Sequence, residues 1–154
     1  MQVTGANFRS SGFYIAHGRA PCERCGQPSR VAALALPAGH ETLVEGRWQR
    51  AEAGAFVFFI TELSAPIRRC LARMAPLFSR KQGEGSRNPY WANHCEHCGA
   101  LFSDDELHCE PGVFMPFRPD QAATITLVHV AGELSVDASG YAFDPQFLNL
   151  MVRR

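Results

Sequence analysis

The 154-residue chain has little that would place it at a membrane or in a disordered tail. No uninterrupted apolar run exceeds six residues, a length reached at 31–36 and 55–60, whereas a bilayer-spanning helix needs about 20. The opening residues, MQVTGANFR, hold no apolar stretch of the signal-peptide kind. Charge of one sign is not in excess: 15 basic and 15 acidic residues cancel, which argues against a polybasic arm or an acidic tail. Lysine is nearly missing, since 14 of the 15 basic residues are arginine, a bias toward planar, bidentate contacts over diffuse attraction. Gly-x-x-x-x-Gly-Lys, Gly-x-Gly-x-x-Gly, Gly-x-Ser-x-Gly and His-Glu-x-x-His are all absent, removing the best-marked nucleotide-binding, esterase and metalloprotease classes. A soluble cytoplasmic protein is expected, a single domain over 1–154, large enough to bury its own core.

Cysteine is what the sequence does have, at positions 22, 25, 70, 95, 98 and 109. Four of these form two copies of one motif, Cys22-Glu-Arg-Cys25-Gly26 and Cys95-Glu-His-Cys98-Gly99. A two-residue spacer lets one tight turn aim two thiolates at one ion, and the following glycine supplies the positive φ by which the chain leaves the turn. Two pairs, each closed by glycine, point to one shared tetrahedral Zn²⁺ per chain held by Cys22, Cys25, Cys95 and Cys98. Two separate redox or metal pairs are the competing reading. The segment between the pairs, 26–94, is 69 residues long, far beyond the roughly 15–20 of a compact ribbon, so a large insertion must bring the chain back to the metal. A shell closed by four protein ligands makes the metal structural. Arg24, His94 and His97 are placed to offset its thiolate charge, and tetrathiolate chemistry admits iron as well as zinc.

Strands are expected near 13–16, at 30–36, where composition also fits a short helix but the length favours a strand, and, fully buried, at 55–60. An amphipathic helix should run from Ser64 to before Pro76: Ile67, Cys70, Leu71 and Met74 fall on one side, Arg68, Arg69 and Arg73 on the other. Ser64 would cap it, Pro66 suits its first turn, and Cys70 reads as a small core residue. Residues 79–89 read as a polar, flexible loop. Downstream, 124–130 is strongly β, with turns expected at 131–133 and 137–140 separating shorter strands at 134–136 and 141–143. Asp144-Pro145 resembles a helix start, with Phe147, Leu148 and Met151 as its apolar side and Arg153 and Arg154 at its end. The whole reads as α+β: a β-rich domain tied by a zinc-ribbon-like four-cysteine site, its long insertion containing one amphipathic helix.

Charge is unevenly placed, with a net +5 over 64–90 and −8 over 95–145. Arg68, Arg69 and Arg73 therefore form either a face for an anionic protein or nucleic acid, or a helix side paired with the acidic half. Tyr90 and Trp91, beside the second cysteine pair, are either exposed aromatic anchors for that partner or core residues over the metal. A second metal held by His94, His97, Asp104 and His108 would instead make a hydrolase, such as a nuclease. His129 shares a strand side with Ile125 and Leu127 and reads as a core histidine. His40, beside Glu41, is a weak general-base candidate, and Cys109 reads as spare.

Pro21-Cys22-x-x-Cys25 resembles the zinc-deaminase signature, but the His-x-Glu that should precede it is missing. Paired Cys-x-x-Cys motifs are similar to those of HNH nucleases, without their tandem histidines. A closer likeness covers more of the chain: LALPAGHE over 34–41 and YWANHCEHCG over 90–99, with Asp104, Leu107, His108, Glu110, Pro111 and Gly112. This pattern resembles a group of uncharacterised bacterial zinc-ribbon-like proteins with the doubled motif. It implies a bacterial zinc-ribbon-like domain and no particular substrate. Taken together, a non-enzymatic, zinc-stabilised interaction module is expected, with the metal-dependent hydrolase as the alternative.

Overall fold

A computed structural model describes residues 5–81, 90–109, 112–142 and 148–154. The first two strands, β1 (Phe8–Pro21) and β2 (Pro28–Leu36), form an antiparallel hairpin that carries the first cysteine pair at its tip, with Pro21 opposite Pro28. A short hairpin, β3 (Glu41–Val44) and β4 (Arg47–Arg50), leans on the start of β1. Strand β5 (Ala55–Leu63) pairs with β2 and then, through Ile60 and Trp91, with the hairpin of β6 (Phe78–Lys81) and β7 (Tyr90–Asn93). The long strand β8 (Thr126–Ala142) pairs with β1 over its first part and with β5 over its second. Strands β1, β2, β5 and β8 therefore pair in a closed cycle. The short β9 (Val152–Arg153) adds to β8 in parallel.

Side-chain alternation assigns the two faces of this cycle. Phe13, Ile15, Leu34, Leu36, Val57, Ile60 and Leu134 share one core cluster with the apolar side of helix α1 (Ala65–Met74). Ala16, Val31, Ala33, Ala35, Phe56 and Leu127 face a second cluster with Phe102, Leu107 and Phe114. Both faces of β2 are covered, which is why 31–36 reads as an unbroken apolar run rather than an alternating one. Helices α2 (Asp104–His108) and α3 (Pro119–Ala122) are single turns on the side of the second cluster. Phe58 and Phe59 are only half-buried, so β5 is less enclosed than its composition predicts.

Helix α1 matches its periodicity: Ile67, Cys70 and Leu71 are buried while Arg68, Arg69 and Arg73 are exposed. Ser64 occupies the N-cap position but caps only through its carbonyl, which accepts from the amides of Ile67 and Arg68 at 3.1 Å.

Other expectations are corrected. Residues 79–81 are strand, paired to β7, and 82–89 lie outside the described residues. The expected turns at 131–133 and 137–140 are instead part of one continuous strand of 17 residues. Gly132, at φ 119°, lies by the point where the pairing register with β1 shifts between Ser10 and Gly12. Gly140 leaves room for the Phe58 ring, which any β-carbon there would overlap. Both glycines thus serve a bulge and a close approach, uses that sequence alone does not separate from a turn. The helix expected from Asp144 has its start outside the described residues; Leu148 and Met151 are buried, but Val152–Arg153 is strand, not a helix end. His129 is exposed, edge-on to Tyr14, rather than a core residue.

Candidate metal centre

Each cysteine pair sits in the same small loop. In the first, the Gly26 amide donates to the Cys22 carbonyl at 2.8 Å and the Cys22 amide to the Gln27 carbonyl at 2.9 Å. In the second, the Gly99 amide donates to the Cys95 carbonyl at 3.0 Å and the Cys95 amide to the Ala100 carbonyl at 2.8 Å. Gly26 and Gly99 have φ of 76° and 77°, the left-handed conformation that the glycine in each motif predicts.

The loops converge so that the sulfurs of Cys22, Cys25, Cys95 and Cys98 all lie within 4.8 Å of one another. Cys22 and Cys98 approach to 3.6 Å, and Cys25 and Cys95 to 3.7 Å. Tetrahedral coordination with metal–sulfur bonds near 2.3 Å gives sulfur–sulfur edges of about 3.8 Å, so the spacing suits a single ion. All four cysteines are free thiols. Burial works against a Cys95 thiolate, but the amides of Cys98 and His97 and the facing thiols outweigh it and bring that thiol down to about 6. At Cys25 the Gln27 amide favours the thiolate, yet desolvation and its three sulfur neighbours prevail, and the thiol is pushed up to about 11. Thiolates held this close repel one another, a conflict that a divalent cation removes.

Protein contacts add to what holds the loops together. The Asn93 side chain, two residues before Cys95, accepts from the Ala32 amide at 2.7 Å and donates to the Ala32 carbonyl at 2.8 Å. It thereby continues the sheet from β2 to the second loop as if it were backbone. The fully buried Ser29 hydroxyl accepts from the Glu96 amide at 3.0 Å. The Arg30 guanidinium meets the Glu96 carboxylate at 2.9 Å and holds it below the usual carboxylate range. His97 Nε2 donates to the Pro28 carbonyl at 3.0 Å, and the His97 amide points to Cys95 Sγ at 3.4 Å. None of these stitching residues was picked out for that role by sequence reasoning. The one available signal was Asn93 itself, a polar residue ending an apolar strand.

The other candidate residues are placed as follows. Arg68, Arg69 and Arg73 stand exposed and take part in no ion pair among the described residues, so the expected pairing with the acidic half is not seen there. Trp91 is core, 6% exposed, with the Arg80 guanidinium 5.4 Å from its ring centre; it is not an exposed anchor. Tyr90 is half-buried and meets Phe59 edge-on.

Among the described residues the four cysteines are the only metal-capable group of three or more side chains, so His94, His97, Asp104 and His108 do not assemble a second centre. His94 is buried, its Nδ1 3.1 Å from the Leu77 carbonyl, while His97 lies at the surface against Pro28 and Glu96. Asp104 is buried under β5 and accepts from the Phe59 amide at 2.9 Å. His108, one turn along, stacks on Phe58 at 4.3 Å and packs against Phe114. Phe59 itself has φ 51°, a strained conformation for a bulky residue that directs its amide to Asp104. His40 is likewise buried, its Nδ1 donating to the Pro37 carbonyl at 2.7 Å and its Nε2 lying 3.1 Å from the Tyr141 hydroxyl. It is a buried histidine with both ring nitrogens within hydrogen-bonding distance of protein partners.

Asp104 and His108 make opposing contributions to acid stability. Burial raises the Asp104 carboxyl to about 6 and lowers the His108 imidazole to about 3. Asp104 therefore loses stability as pH rises from about 4 to 6, and His108 as pH falls from about 6.5 to 3. Relative to the parent chain, His108→Phe should gain stability progressively below pH 6, whereas Asp104→Asn should gain it above pH 5. Thermal melts from pH 4.5 to 7.5 read both differences, since each variant shares the parent's cysteine cluster. Parallel curves for all three proteins would refute the assignment.

No family model, curated protein or solved structure matches the chain.

Proposed function

We propose that the protein is an interaction module clamped by one structural Zn²⁺, with no catalytic role for the metal, and that the exposed arginine side of α1 receives an anionic partner. The observation that carries the reading is the four-sulfur cluster, whose spacing fits a closed tetrahedral shell. Such a shell has no position for water or substrate. The resemblance to bacterial zinc-ribbon-like proteins agrees with this reading, as does a cytoplasmic setting in which thiols stay reduced. No helix among the described residues is long and apolar enough to cross a membrane. The hydrolase alternative gains no support, because its four residues are spread over separate environments.

The arginine side supports a partner of negative charge, protein or nucleic acid, because none of these three cations forms an ion pair among the described residues. Metal analysis of the purified chain should return one zinc per molecule; two ions, or one that leaves without structural change, would overturn the structural role. Immobilised heparin serves as a polyanion probe, and the chain's zero net charge means that retention reports a local face. Arg69→Glu together with Arg73→Glu should elute at markedly lower salt than the parent. Equal elution would remove that face from the reading.

A further inference from the structure

The four sulfurs are not equivalent in their access to solvent, and two of their close approaches cross between the loops. Cys22 and Cys95 are buried, whereas Cys25 and Cys98 reach the surface. Two short distances run between the loops: Cys22 to Cys98 at 3.6 Å and Cys25 to Cys95 at 3.7 Å. Each close pair thus joins one exposed sulfur to one buried sulfur of the other loop. We propose that the centre is a redox-convertible clamp: a hydroperoxide expels the metal and leaves disulfides Cys22–Cys98 and Cys25–Cys95, so that covalent bonds replace coordination and the loops stay joined. The inference rests on the four-sulfur site of the proposed function.

The chemistry balances without a further reactant. An exposed thiolate, Cys98 or Cys25, attacks the peroxide oxygen; the O–O bond breaks, a sulfenic acid forms and hydroxide leaves. The buried sulfur facing it then attacks the sulfenic sulfur, forming the S–S bond and expelling the second oxygen as hydroxide, which takes up a proton to become water. Two peroxides oxidise the four thiolates, and the metal departs as the divalent cation. Access favours this order because the oxidant reaches the outer sulfurs and the inner ones resolve them. Bond formation near 2.05 Å shortens each pair by about 1.6 Å, within the reach of small shifts at two loop tips. A two-residue motif would conventionally be expected to close on itself, as Cys22–Cys25 and Cys95–Cys98, and that outcome would free the loops from each other.

Glutamyl endopeptidase separates the possibilities, because cleavage after Glu23 and Glu96 places each of the four cysteines on its own peptide. The metal-loaded full-length chain is treated with two equivalents of hydrogen peroxide, the released zinc is followed with a chromogenic chelator, and the disulfides are mapped without reduction. One zinc released per chain, cross-linked peptides carrying Cys22 with Cys98 and Cys25 with Cys95, and a retained cooperative melt are expected. Disulfides within each motif, sulfinic acids without cross-links, or a chain that unfolds on oxidation would each overturn the proposal. If the purified chain holds no metal, the zinc reading fails separately, and mapping of the reduced chain still decides the pairing.

Discussion

Stripped of its metal by a strong chelator under reducing conditions, the chain is expected to lose its cooperative melt. Structural zinc in small domains contributes an apparent 10–16 kcal/mol, against a total stability of about 5–15 kcal/mol for a typical domain. The core cannot absorb such a loss here, because the centre joins the tip of the β1–β2 hairpin to the loop after β7, two segments brought together by contacts more than 60 residues apart. Cys95→Ser, which removes a buried ligand, should cost about 5 kcal/mol or more and lower the melting temperature by at least 10 °C. Calorimetry of parent, metal-free and Cys95→Ser protein checks both expectations. A metal-free chain that melts like the parent would show that the fold does not need the ion.

The second large effect is expected at Asn93. Truncation to alanine leaves both the amide and the carbonyl of Ala32 buried without the side chain that pairs them. Each orphaned group costs roughly 1–3 kcal/mol, so Asn93→Ala should cost about 3–4 kcal/mol and lower the melting temperature by about 10 °C. Asn93→Asp should not rescue it, since a carboxylate keeps the acceptor, loses the donor and buries a charge. Metal affinity should fall as well, because the second loop loses its tether to β2. Gln49→Ala, on the exposed edge strand β4, is the control and should change nothing. A shift at Asn93→Ala no larger than that control's would mean that the paired hydrogen bonds contribute nothing net.

The parts legible in the sequence were those written in local chemistry. Cys-x-x-Cys-Gly states its own loop, down to the positive φ of Gly26 and Gly99. Helix α1 declared itself by the spacing of Ile67, Cys70 and Leu71, and β2 and β5 by continuous apolar runs. What stayed hidden depends on partners far along the chain. Gly132 and Gly140 signal turns by composition, yet their surroundings make them a bulge partner and a seat for Phe58, so three expected strands are one. The histidines and the aspartate near the second cysteine pair cluster in sequence but not in space, because α2 turns Asp104 and His108 toward β5 while His97 faces Pro28. Nor does anything in the sequence mark Phe59 as left-handed, a conformation that accompanies the hydrogen bond from its amide to Asp104, 45 residues along the chain.

The closed cycle of β1, β2, β5 and β8 also bears on how the chain is made. Strand β1 has β8 as its partner on one side, and that partner is synthesised more than a hundred residues later. At elongation rates of up to about 20 residues per second, the nascent β1 edge waits on the order of several seconds or more for its mate. The first pair of cysteines waits a little over half as long for the second, about 70 residues on. A ribosome-bound intermediate with an open strand edge and half of the four-cysteine cluster is the state most exposed to aggregation, so chaperone supply during translation should govern the yield of folded protein.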